Sequence, residues 1–252
     1  MPQSRREPLP FDPGATQAIL RDGEVEVLGR VLASTNQALF CRLTQPCPDP
    51  EPPSVVEAIY KPVRGERPLD DFPDGTLCRR EVAAHLVSEA SGWGIVPPTV
   101  MRDGPFGEGM VQLWIDVDET VDVVELVIDD DPRLRRVAIF DAIVNNTDRK
   151  GGHLLPVRGG HVFGVDHGVC FSTVPKLRTV LWGWRGEQLD EGELEVVERV
   201  RDELGGALGE ELLTLLEPIE VAATTRRAER LLRTGRFPRP SPNWPAVPWP
   251  PF

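Results

Sequence analysis

Apolar and polar residues alternate from Glu24 to Leu32 (EVEVLGRVL), and short apolar runs follow at Ala38 to Leu43 (ALFCRL) and Val55 to Tyr60 (VVEAIY). Period-two runs of this length predict three strands. Between the last two lies Pro46-Cys47-Pro48-Asp49-Pro50-Glu51-Pro52-Pro53. It can be neither helix nor central strand, so a surface loop is expected there. Helical spacing begins near Arg79, where Val82, Leu86 and Ala90 share a face and Gly92 is a natural stop. Thr99 to Arg102 and Met110 to Ile115 are strand-like, separated by the turn DGPFGEG. From there to about Ile143 the pattern predicts helix, with Asp131-Pro132 as cap and first position of its last segment. Leu154 to Val157 and His161 to Val165 form a predicted hairpin around Gly159-Gly160. Glu193 to Glu217 and Val221 to Arg233 are predicted helices.

This order makes the chain α+β: a small antiparallel sheet lobe with one helix, then a larger, mainly helical lobe. The expected divisions are an N-terminal extension (1–13), a first lobe (14–115), a second lobe (116–237) and a Pro/Trp-rich tail (238–252). A length of 252 residues with 40% hydrophobic content supports a large packed core. Charge narrows the partners. With 28 Lys+Arg against 40 Asp+Glu the net is −12, which argues against a nucleic-acid binder and against standing attachment to an anionic membrane. No run reaches the ~20 apolar residues of a membrane span. The cysteines Cys41, Cys47, Cys78 and Cys170 have no metal-binding or CxxC spacing, and no apolar signal segment follows the N-terminus, so a reduced cytoplasm is expected.

Reactive side chains concentrate in FDAIVNNTDRKGGHLL (140–155) and GVDHGVCF (164–171). An apolar helix there runs into Asn145, Asn146, Thr147, Asp148, Arg149 and Lys150. The hairpin that follows returns the chain, so Asp148 and Asp166 are expected to face one cleft. Two converging acids suit a divalent cation and a proton acceptor. Lys61 leaves the third apolar strand just before Pro62, and Glu81, on the next helix, is its natural partner.

Lys61 on a third strand, Glu81 on the following helix, the Asp148 loop and the Asp166 turn together resemble the protein-kinase-like superfamily. FDAIVNNTDRK is similar to the catalytic loop of phosphatidylinositol 3- and 4-kinases. REVAAHLVSEASGWGIVPPTV is similar to a passage of HipA-like serine/threonine kinases. Those motifs span roughly residues 24 to 171, and nearly the whole chain resembles an actinobacterial branch related to those kinases. The resemblance implies a two-lobed kinase-like fold that uses ATP and Mg²⁺ to phosphorylate a hydroxyl. Lys61 would hold the α- and β-phosphates and pair with Glu81. Asp148, beside Arg149, would orient the attacking hydroxyl or accept its proton. Asp166 would bind Mg²⁺. Ser34, Thr35 and Asn36 would cover the phosphates, and Gln112 to Asp116, including Trp114 and Ile115, would line the adenine.

Five residues after Asp148, where such kinases place a metal-binding asparagine, this chain has His153. Imidazole is a poorer Mg²⁺ ligand than an amide oxygen. Either His153 stands in an altered metal site, or Asn145 or Asn146 supplies oxygen, or phosphoryl transfer is slow or absent. A nucleotide-binding pseudokinase is therefore the alternative. The charge balance favours a protein or small-molecule acceptor over a lipid. Elsewhere the bland readings prevail. His167 is expected to hold its loop by donating to a backbone carbonyl, and Cys170, Trp182 and Trp184 are expected in the core. The arginines from Arg226 to Arg239 are expected to pair with the acidic helix carrying Glu191 to Glu203. The tail holds seven prolines and two tryptophans in fifteen residues, and is expected to dock through Trp244 and Trp249, with a ligand for a partner's aromatic groove as the alternative.

Overall fold

The structure, a computed structural model, describes residues 11–31, 36–46 and 52–252. Five strands form one antiparallel sheet in the order β1-β2-β3-β5-β4: β1 Glu24–Arg30, β2 Leu39–Gln45, β3 Ser54–Pro62, β4 Thr99–Gly104 and β5 Gly107–Leu113. Alternation decides which residues go inward. Leu39, Cys41 and Leu43 of β2 and Ala58 and Tyr60 of β3 are buried, and they form a core with Val100, Val111 and Leu113. Helix α1 (Pro13–Asp22) covers that core with Ile19 and Leu20. Sequence reasoning placed Pro13 in an N-terminal extension and counted one helix with the sheet, whereas there are two. The missed signal is a good helix start: Asp12 accepts from the Ala15 amide at 2.7 Å, and Pro13 takes the first helical position.

Helix α2 (Leu77–Ser91) lies between the sheet and the remaining helices, touching β4 and β5 on one side and the helices Arg135–Val144, Glu191–Leu204 and Ala207–Leu212 on the other. It is therefore buried nearly all round. Its N-terminus is capped by a distant residue: the Glu66 carboxylate accepts from the amides of Leu77 (3.1 Å) and Cys78 (2.8 Å), complementing the positive helix end. Its C-terminus stops at Gly92 in the left-handed conformation (φ 66°), as predicted.

The helical part contains α3 (Val123–Ile128), α4 (Arg135–Val144), α5 (Glu191–Leu204), α6 (Ala207–Leu212) and α7 (Pro218–Thr234), with the small hairpin β6 (Leu154–Pro156) and β7 (Val162–Gly164). The stretch from 116 to 143 is not continuous helix, and α3 and α4 are separated by a 3₁₀ turn at Pro132–Leu134 whose cap is Asp131. The predicted long helix from 193 to 217 breaks at Gly205-Gly206 into α5 and α6. Every residue of α4 from Val137 to Val144 is buried in a second core shared with α2, α5 and α7. Among the described residues no helix is long and apolar enough to cross a membrane.

Candidate active site

Lys61 lies on the face of β3 opposite Tyr60, and α2 crosses that face. Its ammonium donates to Glu81 Oε1 at 2.7 Å and to Asp166 Oδ1 at 3.0 Å. Glu81 is almost fully buried, and its second oxygen accepts from the backbone amide of His167 at 2.7 Å. One carboxylate thus ties the sheet to the turn that carries Asp166. Asp166 itself adopts a left-handed conformation (φ 62°), which the turn imposes after β7. Its side chain is half exposed, and its Oδ2 stands 3.4 Å from His153 Nε2.

The electrostatics follow from this crowding. Burial alone would lower the Lys61 pKa, but Asp166 and then Glu81 outweigh it and hold it above the ordinary value. The Lys61 ammonium keeps the Asp166 carboxyl well below the usual range. Burial raises Glu81, with Lys61 opposing. Burial also lowers His153, and the Lys150 amide points at its Nδ1, which places its proton on the Nε2 facing Asp166. One ammonium against two carboxylates leaves a negative balance opening to solvent at Asp166.

Asp148 sits in the loop after α4, which ends at Asn145 in the left-handed conformation (φ 55°). Its carboxylate is one-third exposed and faces Lys150 Nζ at 3.0 Å. The loop is tied to the segment carrying Asp166 by two backbone bonds: the Thr147 amide donates to the Val169 carbonyl at 3.3 Å and the Val165 amide to the His153 carbonyl at 3.0 Å. The hairpin β6–β7 therefore does bring the two loops together.

Two residues assigned to this site are placed elsewhere. The Asn146 side chain is fully buried: its Nδ2 donates to Asp141 Oδ1 at 3.0 Å and its Oδ1 accepts from the Asp148 amide at 3.0 Å, so it holds the loop and offers no oxygen to the cleft. Arg149 is also fully buried. It makes a two-pronged pair with Asp141 (2.9 Å each), donates to the Val165 carbonyl at 3.0 Å and to His167 Nε2 at 2.6 Å. It braces the Asp148 loop, α4 and the Asp166 turn from behind, contacting nothing in the cleft. Asn145 is likewise committed, donating to the Ser172 and Val174 carbonyls. Since Arg149 donates to His167 Nε2, the neutral ring carries its proton on Nδ1, a buried atom with no partner among the described residues.

Of the residues assigned to nucleotide contacts, Ser34 and Thr35 lie outside the described residues. Asn36 accepts from the Arg67 amide at 2.9 Å. Gln112 is buried and donates to Thr99. Trp114, 40% exposed, stands edge-on to Phe40 at 5.0 Å where the chain leaves β5, and Ile115 is buried. Sequence reasoning missed Arg80, fully buried beside Glu81, which donates to Glu220 (2.6 Å) and the Cys170 carbonyl (2.8 Å) and so anchors α2 to the helical core. Nothing in a local pattern distinguishes it from a solvent-facing helix arginine.

The tail docks across the same region. The Thr179 amide and Trp182 Nε1 both donate to the Ala246 carbonyl, and Lys176 lies 4.5 Å over the Trp244 ring. Trp249 is 86% exposed, so Trp244 is the docking tryptophan. Further on, the Gly151 amide donates to the Pro251 carbonyl at 2.8 Å and the Phe252 ring rests on Gly151. The arginines of α7 form no ion pair with the acids of α5 among the described residues. The two helices meet through Val197, Val200, Val221 and Leu231, which turns their charged faces apart.

No protein-family model matches this chain. Among solved structures, the proinflammatory kinase CtkA of Helicobacter pylori superposes with a TM-score of 0.43 at 10% identity, covering 84% of this chain and 97% of that one. That agreement is too loose to carry an argument. In sequence, the chain is 42% identical over 270 residues to Protein Rv2133c of Mycobacterium tuberculosis, across 93% of this chain and 95% of that protein. Identity at that level along both full lengths makes the two chains members of one family, that of Protein Rv2133c.

Proposed function

We propose that this chain is an ATP- and Mg²⁺-dependent phosphotransferase of the protein-kinase-like type, moving the γ-phosphoryl to a hydroxyl of a protein or small molecule. The observation that carries this reading is the position of Lys61, 2.7 Å from Glu81 and 3.0 Å from Asp166. A strand lysine held by a helix carboxylate beside an aspartate on a turn is the arrangement phosphoryl transfer needs in that fold. Among the described residues no three His, Cys, Asp or Glu side chains form a metal cage. Mg²⁺ at nucleotide sites does not need one, because it takes one or two carboxylates and completes its shell with phosphate and water. The half-exposed Asp166, with its depressed pKa and the local excess of negative charge, fits that demand.

Bound there, Mg²⁺–ATP would supply the transferable phosphoryl group with its charge partly neutralised. Lys61 would hold the α- and β-phosphate oxygens, and Glu81 keeps its ammonium aimed. Asp148 would orient the acceptor hydroxyl and take its proton, with the Lys150 ammonium 3.0 Å away. Arg149 acts indirectly, fixing the Asp148 loop against the Asp166 turn. The work is mainly positioning and charge stabilisation.

Thermal unfolding with and without ATP–Mg²⁺ tests the first half. At 100 times its Kd a ligand stabilises by about 2.7 kcal/mol, or roughly 5–10 °C for a chain this size. Lys61→Met should abolish the shift. Consumption of labelled ATP, and its loss in Asp148→Asn, tests the second half. One observation favours a second reading, a nucleotide-binding pseudokinase: His153 presents a proton towards Asp166 where an amide oxygen would help bind metal. A full thermal shift with no turnover sensitive to Asp148 selects that reading. No shift at all removes both.

A further inference from the structure

Behind the catalytic loop runs a groove of about 660 Å³, walled by α7, by the segment from Pro175 to Gly186 and by the start of the tail. Its lining contains four arginines, Arg227, Arg230, Arg236 and Arg239, and no aspartate or glutamate. In a chain with a net charge of −12 that is a strong local reversal of sign. Arg227 has a structural duty: it donates to the Ile143 carbonyl at 2.7 Å in the last turn of α4, complementing that helix end, and to the Ser172 carbonyl. Arg236 donates to the Gly186 carbonyl. Arg230 and Arg239 are exposed and have no carboxylate partner among the described residues. Leu177 and Trp182 provide apolar floor between them.

The groove is coupled to the proposed site. The segment that forms its wall is hydrogen-bonded to the catalytic loop: Arg149 donates through its amide to the Arg178 carbonyl, and the Val180 amide donates to the Arg149 carbonyl. An occupant of the groove thus lies one chain-width behind the loop that carries Asp148.

We propose that this groove docks an acidic polypeptide segment of the phosphoryl acceptor, its carboxylates meeting Arg230, Arg236 and Arg239 and an apolar side chain resting on Leu177 and Trp182. The proposal deepens the phosphotransferase reading by naming the acceptor class, and rests on it. Arginine is suited to the task because its fork pairs with carboxylates in two-pronged fashion. The remaining surface, being predominantly acidic, repels such a segment and leaves the groove as its attractive site.

The test is fluorescence anisotropy with a labelled twelve-residue peptide of Glu and Leu around one Ser, in the absence of ATP, against its Gln-for-Glu counterpart. The expected result is at least tenfold tighter binding of the Glu peptide, weakened by added salt and weakened tenfold or more by Arg230→Glu with Arg239→Glu. Both side chains are exposed, so the double variant should melt with the parent; Arg230→Gln with Arg239→Gln is the milder pair should it not. Equal affinity for the two peptides, or unchanged binding in the variants, overturns the proposal. So does displacement of the Glu peptide by inorganic phosphate at equal concentration, which marks a small-anion site. Arginine-dependent sedimentation with phosphatidylserine vesicles, without peptide binding, overturns it in favour of a membrane. Because binding is read without nucleotide, arginine-dependent docking with no transfer to the serine refutes the transferase reading alone. Transfer that ignores the arginine reversal refutes the docking alone.

Discussion

Replacing Arg149 by methionine should destabilise the whole chain, since the residue is a buried brace. Both Arg149 and Asp141 have side chains with no exposure, and the guanidinium satisfies the carboxylate through two bonds of 2.9 Å while reaching Val165 and His167. Removing the cation leaves a carboxylate in the core with the Asn146 amide as its one remaining side-chain donor among the described residues. Breaking a buried pair from one side costs about 3–5 kcal/mol. Domains are stable by only about 5–15 kcal/mol, so the loss is a large share. At about 2–4 °C per kcal/mol for this length, the melting temperature should fall by roughly 6–20 °C. Asp141→Asn should cost a similar amount. The double variant Arg149→Met with Asp141→Leu carries no orphaned charge, and it should be clearly more stable than the sum of the single losses predicts. Urea unfolding of the four proteins, analysed as a double-mutant cycle, measures this. A single Arg149→Met variant that melts within 2 °C of the parent, or strict additivity in the cycle, refutes the brace.

Burial lowers the His85 pKa to about 4, so the ring stays neutral in the fold, held by Gln17 and the Val96 carbonyl. Its contribution is complete above pH 6.5 and is lost as pH falls towards 4, by about 3 kcal/mol; His85→Gln should flatten the fall in urea stability over that window, and an unchanged slope refutes the assignment. At Gly151 an added Cβ would lie 2.1 Å from the Phe252 ring, so Gly151→Ala should expel the ring and cost about 1 kcal/mol of urea stability, whereas parental stability contradicts the packing. At Gly109 an added Cβ would come within 2.4 Å of the Lys61 carbonyl, while at Gly29 it would meet nothing within 4 Å. Gly109→Ala should therefore cost about 1–3 kcal/mol and displace Lys61, with Gly29→Ala as the neutral control, both read by thermal unfolding.

The relation between sequence and site divides by range. Lys61 was legible because it ends an alternating strand, and Glu81 because it opens the next periodic helix. Asp166 was legible because a short hairpin returns the chain to the Asp148 loop. Each inference spans one element and one connection, where periodicity and turn chemistry suffice. The polar cluster at 145–150 was legible as a cluster, but not in its division of labour. Asp148 faces out, while Asn146 and Arg149 face in, and that difference depends on Asp141 being buried one helix turn earlier.

What the residues along the chain determine by themselves is an α+β order of elements, a strongly acidic net charge and the residue types available to the candidate site. What only the tertiary structure decides is pairing over long separations: Arg80 with Glu220, Glu66 with the start of α2, the tail with Gly151, and the gathering in one groove of arginines that have no carboxylate partner among the described residues. The physical reason is that a charge near the surface has many interchangeable partners within reach. Burial and chain crossing select among them, and neither is written in the local pattern.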